Sequence, residues 1–183
     1  MSAKTTAYAF IDSQNLNLGV RSAGWVIDYP KLRLYLKNKF GVSKAFMFIG
    51  FVDGNQGLYT RLQEAGFILV FKPTVRFVDH GKETRKGNVD AELVLHAAAI
   101  EYQYYDKALI ISGDGDFACL VEFLASRGKL LHVCTPNQRY SKLLKPYSQY
   151  IIRMDSFKES VCKTKDRHRR SVETLGLSGH DDK

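Results

Sequence analysis

The feature that most constrains this chain is a repeated alternation of short apolar runs with segments of helical periodicity. The runs are Tyr8–Ile11, Ala45–Gly50, Ile68–Phe71, Ala108–Ser112, Leu130–Cys134 and Tyr150–Ile152. Most are apolar on both faces, and such a strand needs cover on both sides. That is the condition of a parallel sheet flanked by helices. Helices are predicted over Tyr29–Phe40, Gly57–Ala65, Val89–Tyr102, Phe117–Ser126 and Arg139–Lys145, with Gly41, Gly66 and Gly128 placed to stop three of them in a left-handed residue. Strand and helix in regular alternation predict an α/β layer fold. At 183 residues, 45% of them hydrophobic, the chain suits one domain with a real core and is short for two.

Two segments break the rhythm. Residues 72–88, "KPTVRFVDHGKETRKGN", are basic and irregular, with room for a small hairpin because Val75–Val78 alternates ahead of a polar Asp79–Gly81 turn. After about Lys163 the chain is charged and poor in apolar residues, the composition of a disordered tail. The formal charge of +8 and pI near 9.4 favour polyanionic partners. "MSAKTT" leads into no signal-peptide core, and no apolar run approaches the ~20 residues of a membrane span. Cys119, Cys134 and Cys162 lack CxxC spacing and read as small core residues in a reducing cytoplasm.

The chemistry lies in the acids. In an open parallel sheet, ligands bind beyond the carboxyl ends of strands, where strand order reverses. Asp12 closes the first apolar run, and Ser112, Asp114 and Asp116 follow the fourth. If those strands are neighbours, the acids share a crevice. Helical spacing puts Val89, Leu93, Ala97 and Ile100 on one face, Asp90 on its inward edge and Glu92 toward water. Two carboxylates 4 Å apart repel by about 4 kcal/mol at an effective dielectric of 20. They must therefore protonate or hold a cation. Oxygen donors without histidine or cysteine suit Mg²⁺ or Mn²⁺, ions that polarise phosphodiesters and activate water. Each acid also has a plainer use. Asp114 or Asp116 would serve as an N-cap, Asp90 would complement a helix dipole, and Asp12 would bond loop amides.

The stretches "FIDSQNL", "KGNVDAELVLHA" and "ALIISGDGDFACLVEFLASRGK", spanning roughly Ala7 to Met154, resemble the NYN domain, a branch of the PIN-like nuclease superfamily. The resemblance implies a PIN-like three-layer α/β/α sandwich with a central, mostly parallel sheet. It also implies a metal-dependent ribonuclease. In that pattern Asp12, Asp90, Asp114 and Asp116 match the acids, Asn15 and Ser112 their companions and Lys86 the lysine of the central motif. Ser13 departs from it, standing where many relatives have glycine. The expected organisation is a nuclease domain over residues 1–157 and a basic, disordered tail over 158–183.

The expected activity is cytoplasmic endoribonuclease cleavage of single-stranded or structured RNA, with Mg²⁺ or Mn²⁺ held by Asp12, Asp90, Asp114 and Asp116. Gly113 and Gly115 would let backbone approach the ligand. Lys72, Arg76, Lys82, Arg85 and Lys86 would track the phosphate backbone, while Phe77 and His80 stack on bases. Arg139, Tyr140, Lys142 and Lys145 are a second mixed set, read as an exposed amphipathic helix. The alternative is a non-catalytic RNA-binding or regulatory module that retains the acids. A receiver-like domain would need an acid after the third strand, where Lys72-Pro73 stands, and a dehalogenase-type phosphatase would need one at Gln14. DNA against RNA, the number of metals and a homodimer are open from residues alone.

Overall fold

The computed structural model describes residues 5–72, 75–79, 82–86 and 89–163, with backbone pairing alone described for 75–79 and 82–86. All six anticipated strands form: β1 (Ala7–Asp12), β2 (Val42–Gly50), β3 (Ile68–Lys72), β6 (Lys107–Ile111), β7 (Leu130–Thr135) and β8 (Ile151–Arg153). They make one parallel sheet in the order β3-β2-β1-β6-β7-β8. Strand order reverses between β1 and β6. The two strands that end in acids are therefore hydrogen-bonded neighbours, with Ala7 opposite Lys107 through Ile11 opposite Ile111. The expected hairpin also forms outside this sheet: β4 (Val75–Asp79) pairs antiparallel with β5 (Lys82–Lys86).

Side chains along β1 alternate between two cores. Ala7, Ala9 and Ile11 pack beneath α1 (Ser13–Ser22), α2 (Tyr29–Phe40), α3 (Gln56–Glu64) and α6 (Lys158–Val161) through Leu16, Leu32, Leu36, Leu62 and Val161. Tyr8 and Phe10 pack on the other face against α4 (Asp90–Leu95) and α5 (Ala118–Ser126) through Leu93, Leu120, Val121 and Leu124. The result is the expected three-layer sandwich. Helix ends follow local chemistry. Asp28 caps α2 by accepting from Lys31 N at 3.1 Å, and Gly41 ends it at φ 67°. Beyond residue 157, α6 packs on α2 and buries Val161, and Ile27 bridges to Cys162.

Three elements differ from the expectation. α1 was absent from it, because Asn, Ser and Gly within "SQNLNLGVRS" mask the Leu16/Val20 spacing that both residues bury. The segment Val89–Tyr102 is not one α-helix: α4 passes into a π-helical turn over His96–Ile100 and then a 3₁₀ turn over Tyr102–Tyr104. The wider turn shifts the face, so Val89, Leu93 and Ala97 are buried while Ile100 is 46% exposed. The buried Tyr105 hydroxyl donates to the Ala97 carbonyl just inside that turn. The amphipathic helix over Arg139–Lys145 is replaced by 3₁₀ structure over Lys142–Tyr150, kinked at Tyr147 after Pro146.

The cysteines also need correction. Cys134 is fully buried, and desolvation pushes its thiol well above the usual range, but Cys119 is exposed and Cys162 half-buried.

Candidate metal and phosphodiester site

Two buried polar side chains meet at the strand-order reversal. Asp12 is 5% exposed and Ser112 1% exposed. Each continues a row of its strand that faces the α4/α5 core: Tyr8, Phe10, Asp12 on β1 and Ala108, Ile110, Ser112 following β6. Parallel pairing in register brings the two rows to the same edge, the adjacency that the sequence left as a condition.

Asp12 serves two neighbours at once. Its Oδ1 caps α1, accepting from Gln14 N at 3.1 Å and Asn15 N at 3.0 Å. For Oδ2 the hydrogen bond found is from Ser112 Oγ at 3.5 Å, long for a hydroxyl donor. Ser112 Oγ itself accepts from Asp114 N at 3.1 Å. Asn15 Oδ1 accepts from Gly113 N at 2.9 Å, which ties α1 to the loop after β6. Asp114 Oδ1 caps the following 3₁₀ turn by accepting from Asp116 N at 3.1 Å. The plain capping roles of Asp12 and Asp114 are therefore real. They occupy Oδ1 of each and leave the second oxygen for other work.

Burial raises the Asp12 carboxyl above its ordinary value of 3.8. The two backbone bonds oppose this, and the negative fields of Asp90 and Asp114 add to it. The residues that fold brings together are thus Asp12, Asn15, Ser112 and Asp114, with Asp90 near enough to act on Asp12 through its charge. Asp116 sits one residue into the 3₁₀ turn and enters through its backbone. Among the described residues, no three histidine, cysteine, aspartate or glutamate side chains are grouped closely enough to enclose a metal ion as they stand. The donor chemistry still fits a hard divalent cation: Asp12 is buried and carries a poorly satisfied oxygen in the field of two further carboxylates.

The glycines have a different use from the one expected. A Cβ on Gly115 would collide with the Ser141 hydroxyl and lie 3.0 Å from Leu143 Cδ1. One on Gly113 would stand 3.3 Å from Tyr140 Cβ and 3.5 Å from Pro136 Cδ. Both glycines make room for the 136–143 segment, and Ser141 N donates to Gly113 O at 2.9 Å. What approaches them among the described residues is the 136–143 segment of the protein itself.

Lys72 also departs from the expectation. Its Nζ pairs with Glu92 Oε2 at 3.0 Å, so Glu92 does not simply face water. This half-exposed pair joins the end of β3 to the first turn of α4 across the basic segment between them, a contact worth up to about 1 kcal/mol. For Arg76, Lys82, Arg85 and Lys86 the backbone lies in the β4–β5 hairpin, while their side chains, that of Phe77 and the whole of His80 lie outside the described residues. Connectivity sets the hairpin between the carboxyl end of β3 and Asp90.

Sequence reasoning missed Thr135 and Asn137, the two other buried polar residues among those described. Thr135 Oγ1 donates to Asn137 O at 3.0 Å, and Asn137 Nδ2 donates to Gly19 O at 2.7 Å and Ser22 Oγ at 3.2 Å. "CTPNQR" has turn chemistry that would have flagged the loop, but nothing that would have flagged its burial.

Comparison with known proteins agrees with this architecture. The chain is 24% identical over 162 residues to the low amplitude and bright protein LabA of Synechococcus elongatus, covering 85% of this chain and 87% of that one. The crystal structure of a protein of unknown function from Vibrio parahaemolyticus RIMD 2210633 superposes with a TM-score of 0.74 at 23% identity, over 89% of this chain and 99% of that one. The family model of the NYN domain matches residues 6–155, so this chain belongs to the NYN domain family.

Proposed function

We propose that the protein is a metal-dependent endoribonuclease that hydrolyses RNA phosphodiester bonds at the β1/β6 edge. The observation that carries this reading is Asp12: a buried carboxylate with one oxygen short of a good donor, facing the charges of Asp90 and Asp114. Burying such a charge is costly unless positive charge compensates it. Asp12, Asp90 and Asp114, with Asp116, would hold Mg²⁺ or Mn²⁺. When bound, the ion supplies Lewis-acid polarisation of the phosphodiester and activation of water.

The chain's own residues do the positioning. Asn15 and Ser112 hold the Asp12 and Asp114 backbones in one frame through the Gly113 and Asp114 amides. Lys86 meets a phosphate as a point charge, with Arg76, Lys82 and Arg85 along the strand. Lys72 acts one step removed, by fastening the neck of that segment to Glu92.

A second reading has its own support. Since no three ligand side chains among the described residues stand ready around one ion, a regulatory RNA-binding module that never turns over is also consistent with the acids. Labelled RNA and DNA incubated with wild type and Asp12→Asn, with and without Mn²⁺, separate the two. Cleavage of RNA that needs both the carboxylate and the ion, reduced about 10³-fold or more in the variant, is expected. Binding without turnover at every metal concentration would leave the regulatory module.

A further inference from the structure

Beyond the ends of β7 and β8 lies a cavity of about 280 Å³, lined by Ser22, Asn137, Gln138, Arg139, Arg153 and Asp155. It is separate from the acids but on the same edge of the sheet. Its wall is built, not incidental. Buried Asn137 fastens the loop to the last turn of α1, Thr135 Oγ1 donates to the Asn137 carbonyl, and Asn137 Oδ1 accepts from Arg139 N at 2.7 Å, which fixes where Arg139 leaves the chain. Arg139 and Arg153 are both exposed, and neither has a carboxylate within ion-pair distance among the described residues. Asp155 stands in the same wall, also without an ion-pair partner among the described residues.

We infer that this cavity, between Arg139 and Arg153, is a subsite for one nucleotide of the RNA strand whose scissile phosphodiester lies at Asp12. The inference rests on the RNA-processing reading above and names where that substrate is held. Two guanidiniums without an ion-pair partner among the described residues suit a phosphate, which they grip through planar, forked donors. The Asp155 carboxylate repels a bare anion and accepts from an N–H or O–H, so the ligand must carry a donor beside its phosphate, as a nucleotide does. Size agrees, since small-ligand cavities begin at about 300 Å³. So does position: α1 runs from Asp12 to Ser22, and its ten residues span about 15 Å, a distance that four or so stacked nucleotides cover at about 3.4 Å each.

The test is binding of a fluorescein-labelled single-stranded RNA to the full chain in EDTA, where no cleavage occurs. Arg139→Gln combined with Arg153→Gln should weaken binding about tenfold and reduce the log–log salt slope by about 0.7, the value of one single-strand phosphate. Arg139→Lys with Arg153→Lys keeps the charge but loses the fork, and should fall between. A control pair at the opposite edge of the sheet, Lys107→Gln with Arg127→Gln, should bind as wild type. Adenosine monophosphate should displace the RNA where inorganic phosphate does not. Wild-type affinity and slope in the glutamine pair, an equal loss in the control pair, equal competition by inorganic phosphate, or no RNA binding by wild type would each overturn the subsite. The nuclease reading fails separately. Binding that depends on the arginines, with no Mn²⁺-dependent cleavage, keeps the subsite and removes the nuclease; cleavage with no arginine dependence does the reverse.

Discussion

Three strand ends at the same edge of the sheet carry the described buried polar side chains, and that of β7 treats them in the opposite way from those of β1 and β6. After β7, Thr135 and Asn137 have each polar group bonded: Asn137 alone makes three bonds to Gly19, Ser22 and Arg139. After β1 and β6, Asp12 is capped through Oδ1 but served over only 3.5 Å at Oδ2, and like charges surround it. A satisfied buried polar group holds a loop in place. An under-satisfied buried charge is a standing cost that selection for stability would remove, so its retention points to chemistry.

Stability measurements can break this comparison. The largest expected effect is in the satisfied loop. Asn137→Ala removes three hydrogen bonds at about 1 kcal/mol each, so urea unfolding should show a loss of about 3 kcal/mol. A loss under 1 kcal/mol would mean the loop is not the rigid wall described. Next comes the cation. At 100 times its dissociation constant, Mg²⁺ or Mn²⁺ should stabilise wild type by about 2.7 kcal/mol and leave Asp12→Asn almost unchanged.

This gain has a pH dependence of defined sign. Burial and the neighbouring acids raise Asp12 above 3.8 in the folded state. Below 3.8 the group is protonated in both states and costs nothing. As pH climbs from there through the raised folded value, the folded state holds more protons than the unfolded, so metal-free wild type loses stability relative to Asp12→Asn. The ion-linked gain should appear over that same window, because the ion binds the ionised form. A gain that is flat across the window would place the ion elsewhere.

The smallest effect separates the two jobs of Asp12. In metal-free protein Asp12→Asn keeps an acceptor for Gln14 N and Asn15 N and relieves charge, so its stability should equal or exceed that of wild type. Asp12→Ala loses the cap and should lie about 1 kcal/mol below Asp12→Asn in the same urea titration. Equal stability of the two variants would remove the capping role.

How much was legible depended on the range of the interactions involved. Each central strand was readable because burial on both faces writes itself as an unbroken apolar run, and Asp12 and Asp114 were conspicuous as acids ending such runs. α1 was not readable because its helix begins on the cap that Asp12 supplies and its apolar face is reduced to Leu16 and Val20. The π turn at His96–Ile100 was hidden for a related reason: its spacing looks α-helical until Tyr105 takes the Ala97 carbonyl. Gly113 and Gly115 signalled close approach correctly but not by what, since Tyr140 and Ser141 arrive from more than 20 residues away.

From its residues alone this protein was committed to a parallel α/β sandwich and to acids at two strand ends, because hydrophobic period and strand-terminal charge are local properties of the chain. The pairing of β1 with β6, the second oxygen of Asp12 left without a close donor and the Arg139–Arg153 cavity were decided only in three dimensions. Each is a relation between residues far apart in the chain, and no local pattern encodes which of them will meet.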